Sequence, residues 1–369
     1  LNQPTAEDVR WLDAAVRFAS PYLGTTADNP AVAALVVDPI DQMLIARAVT
    51  ARGGRPHAEY LALEAAGYDA GGRTLYVTLE PCHHWGRTPP CVDAVIRSGI
   101  MRVVIGTGDP DPRTAGESIK RLESAGVEVI LANHEPSRRH HAGHAMRQRA
   151  GRPFVTVKLA VSADGMIGRP DIGNVAITGE PARQWTHMQR AFADAVMIGG
   201  ATARLDDPQL TVRIPGMEQR TPLRVILAGA DGIGRDVNLI GGFTGYRTAI
   251  IAETAAPVDA PVSVEVIRVA GEDGRPDLVA ALQALGTKGI QNLLVEPGAR
   301  LADALLTANL VDRFALLTSP VVIGLAGLQA SADGPITDWL DAAGLIEVDH
   351  QPLGEDMVTL YERTEPVFD

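Results

Sequence analysis

Residues 57–59 read HAE, residues 74–79 read TLYVTL, and residues 80–91 continue as EPCHHWGRTPPC. A short apolar, β-rich run that halts at Glu80-Pro81 is a strand running into a loop. The stretches from His57 to Ala66 and from Pro90 to Ser98 carry helical spacing, and prolines 89 and 90 suit the opening of a helix. Helix, strand, helix in that order is α/β layering. Working outward, residues 5–20 set Val9, Leu12, Val16 and Ala19 at helical intervals behind a Thr5/Asp8 capping signal. AVAALVV (31–37), MLIARAV (43–49), RVVIGT (102–107) and VEVIL (127–131) read as further strands, with a helix from Ala115 to Ala125 between the last two.

At 369 residues the chain exceeds the usual single-domain size, so two domains are expected, each able to bury its own core. A content of 46% hydrophobic and 21% charged residues is ordinary for a globular protein and argues against disorder. The net charge of −12 disfavours nucleic acid or an anionic membrane as partner, but leaves room for a small anionic substrate held by local arginines. No run of 18 apolar residues occurs, and the chain reads as cytoplasmic. Self-association is left open. The segment from Arg138 to Arg152 is basic and His-rich and ends in Gly151-Arg152-Pro153, which places a boundary between domains 1–150 and 151–369. Within it, His140 and His144 share i, i+4 spacing with no carboxylate or cysteine between them, and read as a solvated helix face.

The two cysteines, Cys82 and Cys91, lie in one short segment, and in a reducing compartment such a pair serves metal or catalysis rather than a disulfide. With His57 they make one nitrogen and two sulfur ligands, which leaves a fourth tetrahedral position for water, as in a catalytic zinc site. Cys91 opens a helix, where the positive dipole end favours thiolate. Glu59, beside the His57 ligand, is free to move protons. This set suits hydrolytic deamination of an aminopyrimidine or a similar heterocycle: the metal activates water, and the carboxylate carries protons to the ring nitrogen and the departing ammonia. A wholly structural zinc would need a fourth ligand, which His83 or His84 offers, but it would leave Glu59 without a role.

The second half restarts with FVTVKLAV (154–161), followed by ADAVMIGG (193–200), PLRVILA (222–228), YRTAIIA (246–252), NLLVEPG (292–298) and FALLTSPVVIG (314–324) as strands. Continuous apolar character predicts a mostly parallel sheet buried on both faces. Strands ending in Gly199-Gly200 and in Glu296-Pro297-Gly298 offer bare backbone amides to a phosphate. The stretch Gly229-Ala-Asp-Gly-Ile-Gly lacks the dinucleotide-binding order and reads as a loop.

Most base deaminases place two residues between the cysteines, whereas here eight intervene, HHWGRTPP. With this loop the chain resembles the bifunctional riboflavin-biosynthesis deaminase/reductase family, RibD, whose H-A-E and T-L-E-P-C-x-H-x-G-R-T-P-P-C motifs are matched from His57 to Glu59 and from Thr78 to Cys91. KLAVSADGMIG (158–168), ADAVMIGGATARLDDPQLTVR (193–213) and LLVEPGARLADALL (293–306) extend the resemblance over nearly the whole chain. It implies a cytidine-deaminase-like three-layer αβα domain followed by a dihydrofolate-reductase-like α/β domain. It also implies zinc and NADPH as cofactors and a phosphorylated pyrimidine as substrate.

In the first domain His84 and Arg87 suit a phosphate or ribose hydroxyls, while the resemblance assigns Asn29, Asp109 and Asp111 to substrate contacts. In the second it points to Ala160, Ala176, Thr202, Asp206 and the run Gly298, Ala299, Arg300, Leu301, Ala302, Asp303, Ala304 near the cofactor. Arg190, Leu210, Arg213 and Glu296 fall near the substrate. The chain departs from the family pattern at Ala33 (glycine), at Thr50 (histidine), at Asn174–Thr178 (S-x-W-I-T) and at Ala228-Gly229 (Asp-Ser). The residues also leave open a deaminase of another heterocycle whose nucleotide-binding second domain is altered or inactive.

Overall fold

The computed structural model describes residues 3–169, 175–242, 245–331 and 334–363, with residues 68 and 69 described by their backbone alone. The chain divides between Gly151 and Arg152 into two compact units. No helix among the described residues is long and apolar enough to cross a membrane.

The first unit contains, in chain order, α1 (Ala6–Ala19), β1 (Ala33–Val37), β2 (Leu44–Val49), α2 (Ala58–Ala66), β3 (Thr74–Val77), α3 (Cys91–Arg97), β4 (Arg102–Ile105), α4 (Glu117–Ser124), β5 (Glu128–Leu131), α5 (Glu135–His140) and α6 (Ala142–Ala150). Its described strands form a sheet in the order β2-β1-β3-β4-β5. β1 runs antiparallel to β2 and β3, while β3, β4 and β5 are parallel. Alternation along the strands makes three layers. Ala34, Val36, Leu75, Val77, Val103 and Ile105 pack with Ala62, Val92 and Leu122 of α2, α3 and α4, and Ala33, Leu35, Val37, Tyr76 and Val104 pack with Leu12, Ala15 and Ala19 of α1. The Thr5/Asp8 capping box forms as the sequence predicts.

This topology fixes where a site can form. The start of β1 lies beside the end of β3, Ala34 opposite Val77, and the end of β4 lies beside it on the other side, Val77 opposite Ile105. The end of β2 falls next to the start of β1, Val49 opposite Ala33. Residues 29–32, 50–57, 78–91 and 106–116 therefore emerge along one edge of the sheet.

The second unit contains β6 (Phe154–Val161), β7 (Met166–Gly168), α7 (Glu180–Phe192), β8 (Ala195–Gly199), α8 (Gly200–Leu205), β9 (Leu223–Leu227), α9 (Asn238–Gly241), β10 (Thr248–Glu253), β11 (Glu265–Val269), β12 (Gly271–Glu272), β13 (Arg275–Pro276), α10 (Leu278–Thr287), β14 (Asn292–Val295), α11 (Ala299–Thr307), β15 (Arg313–Thr318), β16 (Leu328–Gln329), α12 (Ile336–Ala342), β17 (Leu345–Leu353) and β18 (Asp356–Arg363). Its main sheet has the order β11-β10-β9-β8-β14-β6-β15-β18-β17, parallel except at β18 and β17. Val155, Val157, Met197, Val225 and Val295 face Leu282, Leu305 and Leu340 of α10, α11 and α12. Val196, Ile198, Ile226 and Ile250 face the α8 and α9 side. Burial on both faces explains the continuous apolar runs. Residues 229–234 form a loop, as expected, pinned by bridges Gly229–Gly232 and Ile233–Val258.

Several features differ from expectation; the strand expected at 314–324, for one, ends at Thr318. The antiparallel pair β17–β18 and the parallel edge strand β11 are additional; most of β17 and much of β11 are exposed, and charged or polar residues interrupt their apolar ones, so no continuous apolar run announces them. His140 and His144 do not form a solvated face. His144 is only 6% exposed and His140 is partly buried, its Nε2 2.7 Å from the Ala31 carbonyl oxygen, because α5 and α6 lie against the sheet edge.

Candidate functional site

Three helix and loop starts bring the metal-ligand types together. His57 caps α2, Cys91 is the first residue of α3, and Cys82 lies in the loop that leaves β3. Their ligand atoms all lie within 4.8 Å of one another. His57 Nδ1 is 3.6 Å from Cys82 Sγ and 3.3 Å from Cys91 Sγ, and the Cys91 N–H donates to Cys82 Sγ at 3.3 Å. Tetrahedral zinc spaces such donors about 3.5–3.8 Å apart, so the set fits the ion. The chemistry agrees. The hydrogen bond from the Cys91 thiol, with further help from His57 and the Cys91 N–H, holds Cys82 down to about 4, and sharing that proton with Cys82 pushes Cys91 up. Two thiolates this close need a cation between them.

Glu59 follows in the first turn of α2 and is 3% exposed. Burial pushes its carboxyl up to about 7. Asn29 lies against the His57 ring. Its Oδ1 is 3.3 Å from His57 Nε2, and Gly54, at φ +89°, gives it room that any Cβ would remove. Thr50 is buried and accepts from the Val32 N–H, and Ala33 is wholly buried in the core.

The loop between the cysteines is tied at two points: Arg55 donates to Thr88 Oγ1 at 2.7 Å, and His84 Nδ1 lies 3.3 Å from Thr114 Oγ1. Arg87 is exposed on it, with no partner among the described residues. Glu80, which the motif contains but sequence reasoning assigns no task, accepts from the Asp109 N–H, the Gly116 N–H and the Ser118 hydroxyl, and so joins the 109–118 loop to the metal loop. Asp111 is occupied by Arg113, which donates to it through Nε at 2.9 Å and holds its carboxyl low. Arg113 is itself exposed on the loop that follows β4.

In the second unit the end of β14 lies between the last residues of β8 and the middle of β6, Val295 opposite Met197 on one side and Val157 on the other. Thr202 and Gly298 meet there, since a Cβ on Gly298 would come within 3.3 Å of Thr202 Oγ1. Gly298 caps α11 without a side-chain bond, which leaves the first-turn amides of Ala299 and Arg300 open to an anion. This bare cradle fits a cofactor phosphate. Leu301 lines it next to Gly199, Ala302 is buried in the core, and Asp303 and Ala176 are exposed. Ala304 and Ala160 are partly buried, Asp206 closes α8, and Asn174 lies outside the described residues.

Glu296 and Arg190 form a buried pair, with Arg190 Nε 2.6 Å and Nη2 2.9 Å from its oxygens and Nη1 donating to the Thr211 carbonyl at 3.1 Å. Arg190 is therefore an anchor for Glu296 and not a free cation. Lys158 Nζ lies 3.9 Å from the same carboxylate, a residue that sequence reasoning passed over although a lysine inside FVTVKLAV was its signal. Burial alone would raise Glu296, but Arg190 and Lys158 outweigh it and hold it down to about 2; burial pushes Lys158 down as well. Leu210 is buried at φ +55°, a left-handed turn that sends Arg213 back out, exposed and without a side-chain partner among the described residues.

Residues 153–359 match the model of the RibD C-terminal domain, and residues 5–107 match the cytidine and deoxycytidylate deaminase zinc-binding region. The chain belongs to the RibD family. It is 33% identical to the Escherichia coli riboflavin biosynthesis protein RibD over 89% of this chain and 94% of the relative. The RibD of Aquifex aeolicus is 33% identical over 96% and 98%. Among solved structures, RibD of Acinetobacter baumannii has a TM-score of 0.83 at 29% identity, covering 97% of this chain and 99% of its own. A diaminohydroxyphosphoribosylaminopyrimidine deaminase/5-amino-6-(5-phosphoribosylamino)uracil reductase from Thermotoga maritima gives the same four values. As a RibD the chain is a bifunctional deaminase and reductase of riboflavin biosynthesis, with zinc as cofactor of the first activity and NADPH of the second.

Proposed function

We propose that residues 1–150 hydrolyse the exocyclic amine of a phosphoribosylamino-diaminopyrimidinone, and that residues 151–369 reduce the ribosyl chain of the deaminated product to ribityl phosphate. The observation that carries the reading is the convergence of His57, Cys82 and Cys91 beside the buried Glu59. His57, Cys82 and Cys91 hold the zinc, which supplies the Lewis acidity that makes water nucleophilic at neutral pH. Glu59 takes one proton from the attacking water and passes it to the ring nitrogen, then carries the remaining hydroxyl proton to the amine, so that the C–N bond breaks as the carbonyl forms and ammonia leaves. His84, Arg87 and Asp109 face the substrate from the loops, with Arg87 and Arg113 giving charge-assisted bonds to its phosphate.

NADPH supplies the hydride for the second step. The amides at the start of α11 and Thr202 hold its phosphate end, and Lys158, kept in place by Glu296 and Arg190, bonds the ribosyl oxygen that must gain a proton. Arg213 takes the substrate phosphate, since its guanidinium is free and presents paired donors. The enzyme works in the cytoplasm, where Cys82 and Cys91 stay reduced.

Two variants test the assignment together. Glu59→Gln should keep its zinc, lose deamination by several orders of magnitude and still reduce deaminated substrate at near the wild-type rate. Arg213→Lys should deaminate normally while its reductase kcat/KM falls about tenfold or more, through KM. Loss of both activities in either variant contradicts the division of labour.

A further inference from the structure

His144 lies on α6 and reads from sequence, with His140 at the end of α5, as part of a solvated face. It is 6% exposed, and its Nε2 is 3.0 Å from Asp109 Oδ1. The Asp109 side chain is itself only 9% exposed, and the same oxygen accepts the Asp111 N–H at 2.9 Å. Oδ1 is thus filled by two donors, while no described residue donates to Oδ2. The Asp109 main chain is fixed too, because its N–H donates to Glu80 Oε2, two residues before Cys82.

Two further histidines hold α5 and α6 in place: His141 Nε2 lies 3.0 Å from Thr78 Oγ1, and His140 Nε2 bonds the Ala31 carbonyl. Each reaches the sheet edge from which the site loops emerge. His144 differs from them in carrying a cost. Its Nδ1 is buried with no partner among the described residues. An apolar side chain would fill that space without leaving a polar atom unpaired, so what distinguishes histidine here is the Nε2–H that reaches Asp109.

We propose that His144 is a positioning residue of the deaminase site: it locks the Asp109 carboxylate through Oδ1 so that Oδ2 presents one fixed acceptor to an N–H or O–H donor of the pyrimidine nucleotide. This rests on the reading of Asp109 as a substrate contact. Without His144 the carboxylate turns about its terminal torsion, and the acceptor must be ordered by the substrate at the expense of binding. The water, the metal ligands and Glu59 are untouched, so the loss falls on KM.

The test uses full-length, zinc-loaded enzyme with the phosphoribosyl diaminopyrimidinone. His144→Phe should raise the deaminase KM about tenfold with kcat changed by less than about threefold, the size of one hydrogen bond to a charged group. His144→Gln, which restores an N–H donor at similar reach, should bring KM back to within about threefold of wild type. In an Asp109→Asn background the His144→Phe change should add nothing, because the two act as one unit. Zinc content, melting temperature and reductase rate of the same samples report folding, and His144→Asn, too short to reach Asp109, replaces Phe if the larger ring is not accommodated. An unchanged KM in a folded His144→Phe or His144→Asn protein, with Asp109→Asn still raising KM, overturns the role of His144 alone. An unchanged KM in Asp109→Asn overturns the reading of Asp109 and the proposal with it.

Discussion

At the scale of single residues, Asn29 makes a contact that its motif does not announce. Its Oδ1 takes the Nε2 side of His57, which leaves Nδ1, the nitrogen nearest both sulfurs, as the metal donor. A partner on the far nitrogen fixes ring orientation and tautomer, and its removal commonly weakens metal binding about 10–100-fold. Asn29→Ala should therefore lose zinc to a competing chelator at a concentration lower by about that factor, and Asn29→Asp, which keeps an acceptor oxygen, should hold it. Equal chelator resistance in Asn29→Ala and wild type would show that the contact is incidental. The ligands themselves were legible because chemistry restricts which residue types can serve and the chain has only two cysteines. The roles of Asn29 and Arg190 were not legible, since each is set by a partner distant in sequence, His57 in one case and Glu296 in the other.

At the scale of elements, α1 is joined to the sheet by one buried carboxylate. Asp8 closes the capping box with Thr5 and also accepts from Arg102 Nη1 at 2.7 Å, Arg102 Nη2 at 2.9 Å and the Tyr76 hydroxyl at 3.0 Å. Burial alone would raise its pKa, but the bonds from Arg102 and Thr5 hold it down to about 2. A carboxylate whose pKa falls on folding stabilises the native state above its unfolded pKa, near 3.8 here, and that contribution is lost as pH falls towards 2. Asp8→Asn should lower the stability of the first unit by about 3 kcal/mol at pH 7 in urea titration, because Arg102 and Tyr76 lose their acceptor. The difference from wild type should shrink in the acid range; a constant difference down to pH 2 would contradict the linkage. The cap was readable from Thr5 and Asp8 alone, but its tie to Arg102 was not. The same limit applies to α6: i, i+4 spacing says that His140 and His144 share a face, and only packing says what that face meets. Strands buried on both sides were evident as apolar runs, whereas β17, largely exposed and interrupted by Glu347, Asp349, His350 and Gln351, gave no such run.

At the scale of the whole molecule, two units carry two chemistries that require different surroundings. Hydrolysis needs a metal and a proton carrier on the edge of one sheet, where antiparallel β1 and parallel β4 flank the end of β3. For hydride transfer, the proposed cofactor site offers bare amides to a phosphate beyond the carboxyl ends of β8 and β14 in another. Both were signalled by local motifs, the cysteine loop and the Gly-ending strands, because each motif sits at a strand end where backbone geometry is restricted. The central claim is that one chain performs both steps on one phosphorylated pyrimidine. Its most direct test follows ammonia and NADPH together in the wild-type enzyme supplied with the phosphoribosyl diaminopyrimidinone. Without NADPH, ammonia should be released and the deaminated ribosyl compound should accumulate; with NADPH, oxidation should follow ammonia mole for mole and the ribityl phosphate should appear. Absence of ammonia, or ammonia release with no NADPH oxidised even when deaminated substrate is added, would contradict the account.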